Sequence, residues 1–382
     1  MDRAEYEKCQ KAINGAISRV LEKGSDDVFR PPIFSKSIES RVLDVHSEQF
    51  RADAYKKTLD FIKVSNLERE GIGPTRRGLI IKDENTFRQV AWLDPFDAVK
   101  FLTIAILVFE DIERVRLPKE MNCVHSHRLS SNVDELFDSA YGYDSFRTRS
   151  AELSQQRIGK WKIVTDIANF FDRVGNHTLE NHLLNAGSDH KHVKLIREML
   201  FFWAGDRRSF GIPVGSDASR ILAEAVLLSV DQGLHERNIT FVRYVDDYRL
   251  FADSKAEALK FIEILTTLLA EEGLSLSSRK TSISKIELGK DAEAGFADFE
   301  ASEHEVIDLE AREVVRKRVR VSGQSTISRF YRKPGQETLR KLKLMSVQDV
   351  ISTIRVCEES VFETNLKLAI KFFVYVDQDV EI

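Results

Sequence analysis

Two adjacent aspartates, Asp246 and Asp247, sit at the centre of the stretch Phe241-Val242-Arg243-Tyr244-Val245-Asp246-Asp247-Tyr248-Arg249-Leu250-Phe251. The arms on either side are β-branched and aromatic, a composition that favours strands. Two acidic residues between such arms read as the tight turn of a hairpin. Carboxylates at a hairpin tip backed by buried strands are costly unless a cation neutralises them. Magnesium suits that role, because hard divalent cations take carboxylate oxygens and keep room for phosphates. The plain alternative is a solvated turn, and a third carboxylate separates the two readings. Lys162-Ile163-Val164-Thr165-Asp166 is a short apolar strand that runs into an aspartate, with Ile167-Ala168-Asn169-Phe170-Phe171-Asp172 after it.

Between the two aspartate sites lies Phe210-Gly211-Ile212-Pro213-Val214-Gly215-Ser216, whose glycines let backbone approach a ligand closely. A long apolar helix is predicted from Ser216 to Leu234. Past the hairpin, Lys255 to Glu271 is amphipathic and should pack under the sheet. Gly273-Leu274-Ser275-Leu276-Ser277-Ser278-Arg279-Lys280-Thr281 follows. The order strand-Asp, Gly-Pro-Gly turn into helix, Asp-Asp hairpin, helix, Leu-x-x-x-x-Lys-Thr resembles the successive palm motifs of reverse transcriptases.

That resemblance implies an α+β right-hand polymerase fold, with an antiparallel palm sheet packed on helices. It places an N-terminal helical region at 1–69, fingers at 70–160 and the palm at 161–300, with a fingers-type helical insertion at about 176–210. A mostly helical thumb or C-terminal region would occupy 301–382. The reaction implied is nucleotidyl transfer, in which a primer 3′-hydroxyl attacks the α-phosphate of a deoxynucleoside triphosphate and pyrophosphate leaves. Two magnesium ions about 3.5–4 Å apart would serve it, with manganese as an allowed substitute. Asp166 and Asp246 would hold both ions, with Asp247 adjacent and the Ile167 carbonyl as an added ligand. The basic strands around Arg76, Arg77, Lys82 and Arg128 would be the fingers that grip the triphosphate, since arginine forks match phosphate oxygens. Phe171 would lie under the incoming sugar, Val214 and Gly215 beside the nucleotide, and Lys280 near the leaving pyrophosphate.

Most retroviral, retron and intron-encoded enzymes carry glutamine where this chain has Val214, and valine donates no side-chain hydrogen bond to nucleotide or template. Gly211-Ile212-Pro213-Val214-Gly215-Ser216-Asp217-Ala218-Ser219-Arg220, with Leu222-Ala223-Glu224 after it, is most similar to the bacterial abortive-infection and defence-associated group. Membership there implies RNA-directed or template-independent DNA synthesis in antiphage defence. Its partners would be an RNA template or non-coding RNA, the DNA product and, in some assemblies, further copies of the chain. The alternative is a retron- or group II intron-type enzyme copying a dedicated structured RNA. A viral-type RNA polymerase and a non-catalytic nucleic-acid binder are further rivals, and the three aspartates argue against the last.

The remaining sequence agrees with a large globular protein. Its 382 residues can hold two or three domains, with 42% hydrophobic and 31% charged residues. The longest apolar run, Leu102 to Phe109, is flanked by Lys100 and Glu110 and reads as a core helix, so no membrane partner is expected. No apolar leader opens the chain, and three isolated thiols (Cys9, Cys123, Cys357) suggest a reducing cytoplasm. The net charge of −4 is unfavourable for nucleic acid unless the basic residues cluster. They do so between Arg312 and Lys343, where Arg316, Lys317, Arg318, Arg320, Arg329, Arg332 and Lys333 are read as a phosphate-tracking thumb surface.

Helices are predicted over 3–23, about 48–64, and from Pro95 to about Val115 behind an Asp94 cap. Strands are predicted over 78–82 and 88–93, and Cys123 to Leu129 reads as an alternating strand. Past Glu300 the periodicity reads as helical, with Leu366, Ala369, Ile370 and Phe373 on one face. His177, His182, His190 and His192 have irregular spacing and no cysteine nearby, so no zinc site is expected there.

Overall fold

Apolar residues three and four apart set the first helices, as the periodicity requires. The computed structural model describes residues 3–25, 43, 47–64, 71–83, 86–132, 135–204, 209–287, 303–308 and 313–318. Helix α1 (Arg3–Lys23) buries Cys9, Ile13, Ile17, Val20 and Leu21 on one face, and α2 (Ser47–Val64) packs beside it. An antiparallel hairpin follows, β1 (Arg76–Asp83) with β2 (Thr86–Trp92). Helix α3 (Pro95–Val115) opens on the Asp94 cap, whose carboxylate accepts from Phe96 N at 2.9 Å. It is buried along most of its length and packs against both α1 and α2.

Helix α4 (Tyr143–Gln156) leads into β3 (Trp161–Asp166), and the short α5 (Phe170–Arg173), α6 (Asn176–Asn185) and α7 (His190–Ala204) follow. Next come α8 (Asp217–Val226), α9 (Leu228–Glu236), β4 (Thr240–Tyr244), β5 (Asp247–Ala252), α10 (Lys255–Glu271) and β6 (Ser282–Lys285). The last four strands in space form one antiparallel sheet in the order β4-β5-β3-β6. Alternation sends Tyr248 and Leu250 to the main core, while Val242 and Phe251 meet Tyr143, Phe146 and Leu153 on the other face. Helix α10 packs on β3 and β5, and α4 on β4, so β5 is buried throughout.

Three expectations are corrected. Cys123 to Leu129 is not a strand: it touches β4 through a single parallel bridge, Val124 to Arg243, and His127 at φ 41° breaks the extended run. The predicted helix over 216–234 is two helices, because Leu227 leaves the α conformation and its N–H reaches Glu224 O and Ala225 O. Past Glu300 the described residues are strands, β7 (Glu303–Asp308) and β8 (Glu313–Arg318), rather than helix. Val306, Ile307, Val314 and Val315 supply the β-branched centre of that hairpin.

The chain divides into two compact units, Met1–Arg30 with Lys36–Gly295, and Pro31–Ser35 with Phe296–Ile382. In the second, Arg316, Lys317 and Arg318 stand in register opposite Glu305, His304 and Glu303. Arg320, Arg329, Arg332, Lys333, Cys357 and the apolar set Leu366, Ala369, Ile370 and Phe373 lie outside the described residues. Among the described residues, no helix is long and apolar enough to cross a membrane.

Candidate active site

Sheet register brings the three aspartates to one end of the sheet. β3 and β5 pair antiparallel with Asp166 opposite Asp247, and Ile167 N donates to Asp246 O at 3.1 Å. Val245 and Asp246 form the two-residue turn between β4 and β5, with Val245 at φ 56°. A β-branched residue in that left-handed region is strained, at about 1–3 kcal/mol. Asp166 and Asp247 are buried, whereas Asp246 keeps part of its surface open. Ile167, the expected carbonyl ligand, is buried and bridges to Leu276.

The Gly273–Thr281 segment is laced to the same end of the sheet. Ser277 N donates to Asp166 O at 2.7 Å, Ala168 N to Ser275 O at 2.8 Å, and the Thr165 and Thr281 hydroxyls lie 2.7 Å apart. This lacing delivers Lys280, whose Nζ lies 2.9 Å from Asp166 Oδ2. Burial by itself would lower the Lys280 pKa, but Asp166, then Asp246 and Asp247, raise it above its ordinary value. Burial, then the like charges of Asp166 and Asp247, push the Asp246 carboxyl well above the usual carboxylate range. Because Asp246 retains some exposure, the like charges are the firmer part of that shift.

Hard oxygen donors crowded until they repel are the donor set that magnesium prefers, and an ammonium already neutralises one of them. Among the described residues no three such ligand groups stand together as a metal-holding set. Asp166, Asp246 and Asp247 fit magnesium by the chemistry of their donors. A carboxyl with a raised pKa must shed its proton to bind a metal. Magnesium affinity should consequently rise with pH across the range above the ordinary carboxylate pKa, with protons released on binding. Calorimetric titration in two buffers of different ionisation enthalpy checks this, and an affinity flat with pH would contradict it.

The residues expected to face the nucleotide divide. Phe170 is 2% exposed and packs in the core, whereas Phe171 is only half-buried at its edge. Ile212 N donates to Phe171 O at 2.9 Å and Gly211 N to Val174 O at 2.8 Å, which lays the glycine turn against α5. Gly211 at φ 98° and Gly215 at φ 100° hold conformations that favour glycine. Val214 beside them is buried.

Arg128 does not present its fork to solvent. Both terminal nitrogens donate to Leu117 O at 3.0 Å, and its Nε lies 2.8 Å from Glu113 Oε1. Its place in the expected triphosphate grip is corrected to a brace inside the protein, because a buried guanidinium needs those partners. Arg77 and Lys82 lie on β1, with their side chains outside the described residues, and Arg76 is exposed. Of the four histidines, His182 Nε2 meets Glu272 Oε2 at 2.7 Å and His177 lies 3.5 Å from Glu180, while His192 is buried and His190 exposed.

Sequence reasoning missed a buried ionic cluster behind the aspartates. Arg243, Glu224, Asp231 and Arg116 are all buried and pair with one another. Its signal was present: charged residues inside apolar periods must find partners or not be there.

No curated protein matches the sequence. Among solved structures, Candida albicans telomerase in complex with a TWJ fragment of telomeric RNA is 12% identical, at TM-score 0.42, over 80% of this chain and 55% of that one. Apo telomerase from Candida tropicalis is 12% identical at TM-score 0.41, over 79% of this chain and 62% of that one. This chain thus spans about three-fifths or less of the length of those two chains. A family model described as reverse transcriptase (RNA-dependent DNA polymerase) matches residues 114–321, which contain all three aspartates, the glycine turn and Lys280. With more than half of its length matched in this way, the chain belongs to the reverse transcriptase family.

Proposed function

We propose that this chain is a DNA nucleotidyltransferase that adds deoxynucleotides to a primer end, copying RNA or working without a template, in cytoplasmic antiphage defence. The observation that carries the reading is the register that sets Asp166 opposite Asp247 with Asp246 in the adjoining turn. Bound magnesium would supply the positive charge that the attacking and leaving oxygens need. The chain's own part is positioning and charge. Lys280, kept protonated by Asp166, offers a cation and a proton donor to the leaving pyrophosphate. Phe171, at the edge of the core, is the floor for the sugar. Val214 supports the defence-group reading, since its buried side chain contributes packing where a glutamine would offer hydrogen bonds.

Incubating the purified protein with magnesium and labelled deoxynucleotides tests this, using an RNA template-primer, a DNA template-primer and no template. Incorporation in the first or third arm is expected, together with phage protection in cells. Absence of incorporation in every arm would overturn it. The basic stretch adds a second expectation. Neutralising Arg316, Lys317, Arg318, Arg320, Arg329, Arg332 and Lys333 should weaken nucleic-acid binding and flatten its salt dependence. Each lost phosphate contact removes roughly 0.7–0.9 from the log–log slope. An unchanged slope would return these residues to a solvated or strand-paired role.

A further inference from the structure

The turn that carries Asp246 is held from behind by a single guanidinium. Arg243 is fully buried, two residues before the strained Val245. Its Nη1 donates to Val245 O at 3.0 Å and to Ser126 Oγ at 3.3 Å. Nε reaches Asp231 Oδ1 at 2.8 Å, and Nη2 reaches Asp231 Oδ2 at 2.5 Å and Glu224 Oε2 at 2.9 Å. Glu224 Oε2 also accepts from Arg116 Nη2 at 2.8 Å, and Arg116 binds the carbonyls of Ser126 and His127 at 2.7 and 2.9 Å. Glu113 also meets Arg116, at 3.2 Å, and pairs with Arg128, so three arginines and three acids balance in charge, which is what lets such a cluster stay buried. Burial pulls the Arg243 pKa down, but Asp231 and Glu224 outweigh it and hold the guanidinium charged.

The backbone of Arg243 joins the same node. Its N–H donates to Cys123 O at 2.7 Å and its carbonyl accepts from His125 N at 2.9 Å. The break at Leu227 contributes as well. Glu224 and Asp231 are seven residues apart, about 10 Å along a straight helix, yet both close on one guanidinium.

The Val245 carbonyl and the Asp246 nitrogen share one peptide plane, so a bond to that carbonyl sets the direction in which Asp246 leaves the turn. A β-branched residue at positive φ relaxes unless its surroundings over-determine it. Asp246 O is then fastened to Ile167 N, next to Asp166. From this chain of contacts we infer that Arg243, anchored by Asp231 and Glu224, is a positioning residue that holds the metal-binding aspartates in register through the Val245 carbonyl. It touches neither substrate nor metal. The inference rests on the polymerase reading above and adds a residue that sets how well its site is formed.

Arg243→Lys keeps the charge but loses the fork, so one ammonium cannot hold Val245 O, Asp231 and Glu224 together. Manganese binding to the full-length chain, followed by electron paramagnetic resonance without nucleotide, is the primary measurement. The expected result is several-fold weaker affinity at unchanged ions per chain. Turnover should fall by up to about 10²-fold, the size of a misplaced catalytic group, with the nucleotide KM little changed. A merely structural role would instead lower the ions bound per chain and leave the affinity of the rest intact, which would overturn the inference. So would wild-type affinity and turnover in a folded Arg243→Lys protein. Should that variant fail to fold, Asp231→Asn, nearly identical in size, is read by the same criteria with a smaller shift expected. Wild-type protein that binds no manganese and incorporates no nucleotide would instead bring down the polymerase reading, and this inference with it.

Discussion

Asp246→Asn combined with Asp247→Asn should abolish nucleotide incorporation and phage protection while the chain keeps its fold. An amide preserves the shape of each side chain and removes the charge that holds magnesium. Losing one group that stabilises developing charge costs about 10²–10³-fold in turnover, and two lost together fall below detection in an ordinary labelling assay. The same substitutions carry a stability signature of opposite sign. The folded-state pKa of Asp246 is raised, so without metal the folded chain holds a proton that the unfolded chain releases. Stability of the metal-free wild type therefore falls as pH climbs from the ordinary aspartate pKa through the raised one. Asparagine removes that penalty, so in chelator the double variant should melt above wild type at neutral pH, with the gap closing towards pH 4. Circular dichroism melts at several pH values read the sign, and labelled nucleotide reads the activity. A double variant that still incorporates nucleotide would remove the aspartates from the site.

Substitution of Phe171 should change which sugar the enzyme accepts. Phe171 lies five residues after Asp166 and stays half-buried at the core edge. A ring under the sugar collides with a 2′-hydroxyl and tolerates hydrogen, so wild type should prefer deoxynucleotides. Phe171→Ala or Phe171→Val should raise ribonucleotide use relative to deoxynucleotide by about 10- to 200-fold, the range that one lost packing contact discriminates. Phe170→Ala separates this from a folding effect. That ring is buried in the core, so its loss should cost about 3–5 kcal/mol of stability and leave sugar preference unchanged. Competitive incorporation of the two nucleotide types by all three proteins is the measurement. Wild type that prefers ribonucleotides would replace a DNA product with an RNA one.

The sequence by itself determined the three aspartates, the order of elements around them and the family. Each of these is written in local pattern: a short apolar run before Asp166, β-branched and aromatic arms around Asp246, glycines at the turn into α8, and an amphipathic α10 beside the sheet. It also contained the separation of Phe170 from Phe171, because neighbouring helical residues point to different faces. Tertiary structure decided the pairings. Asp166 meets Asp247 and Lys280 only because β3 lies between β5 and β6, a register that no local period encodes. An arginine in an apolar segment announces that it needs partners without naming them. Arg128 turns inward to Glu113 and Leu117 where a phosphate grip was expected, and Arg243 collects Asp231 and Glu224 from a helix that breaks at Leu227 to supply them. Charge burial has to be balanced by whichever groups packing brings near, and packing is a property of the whole fold.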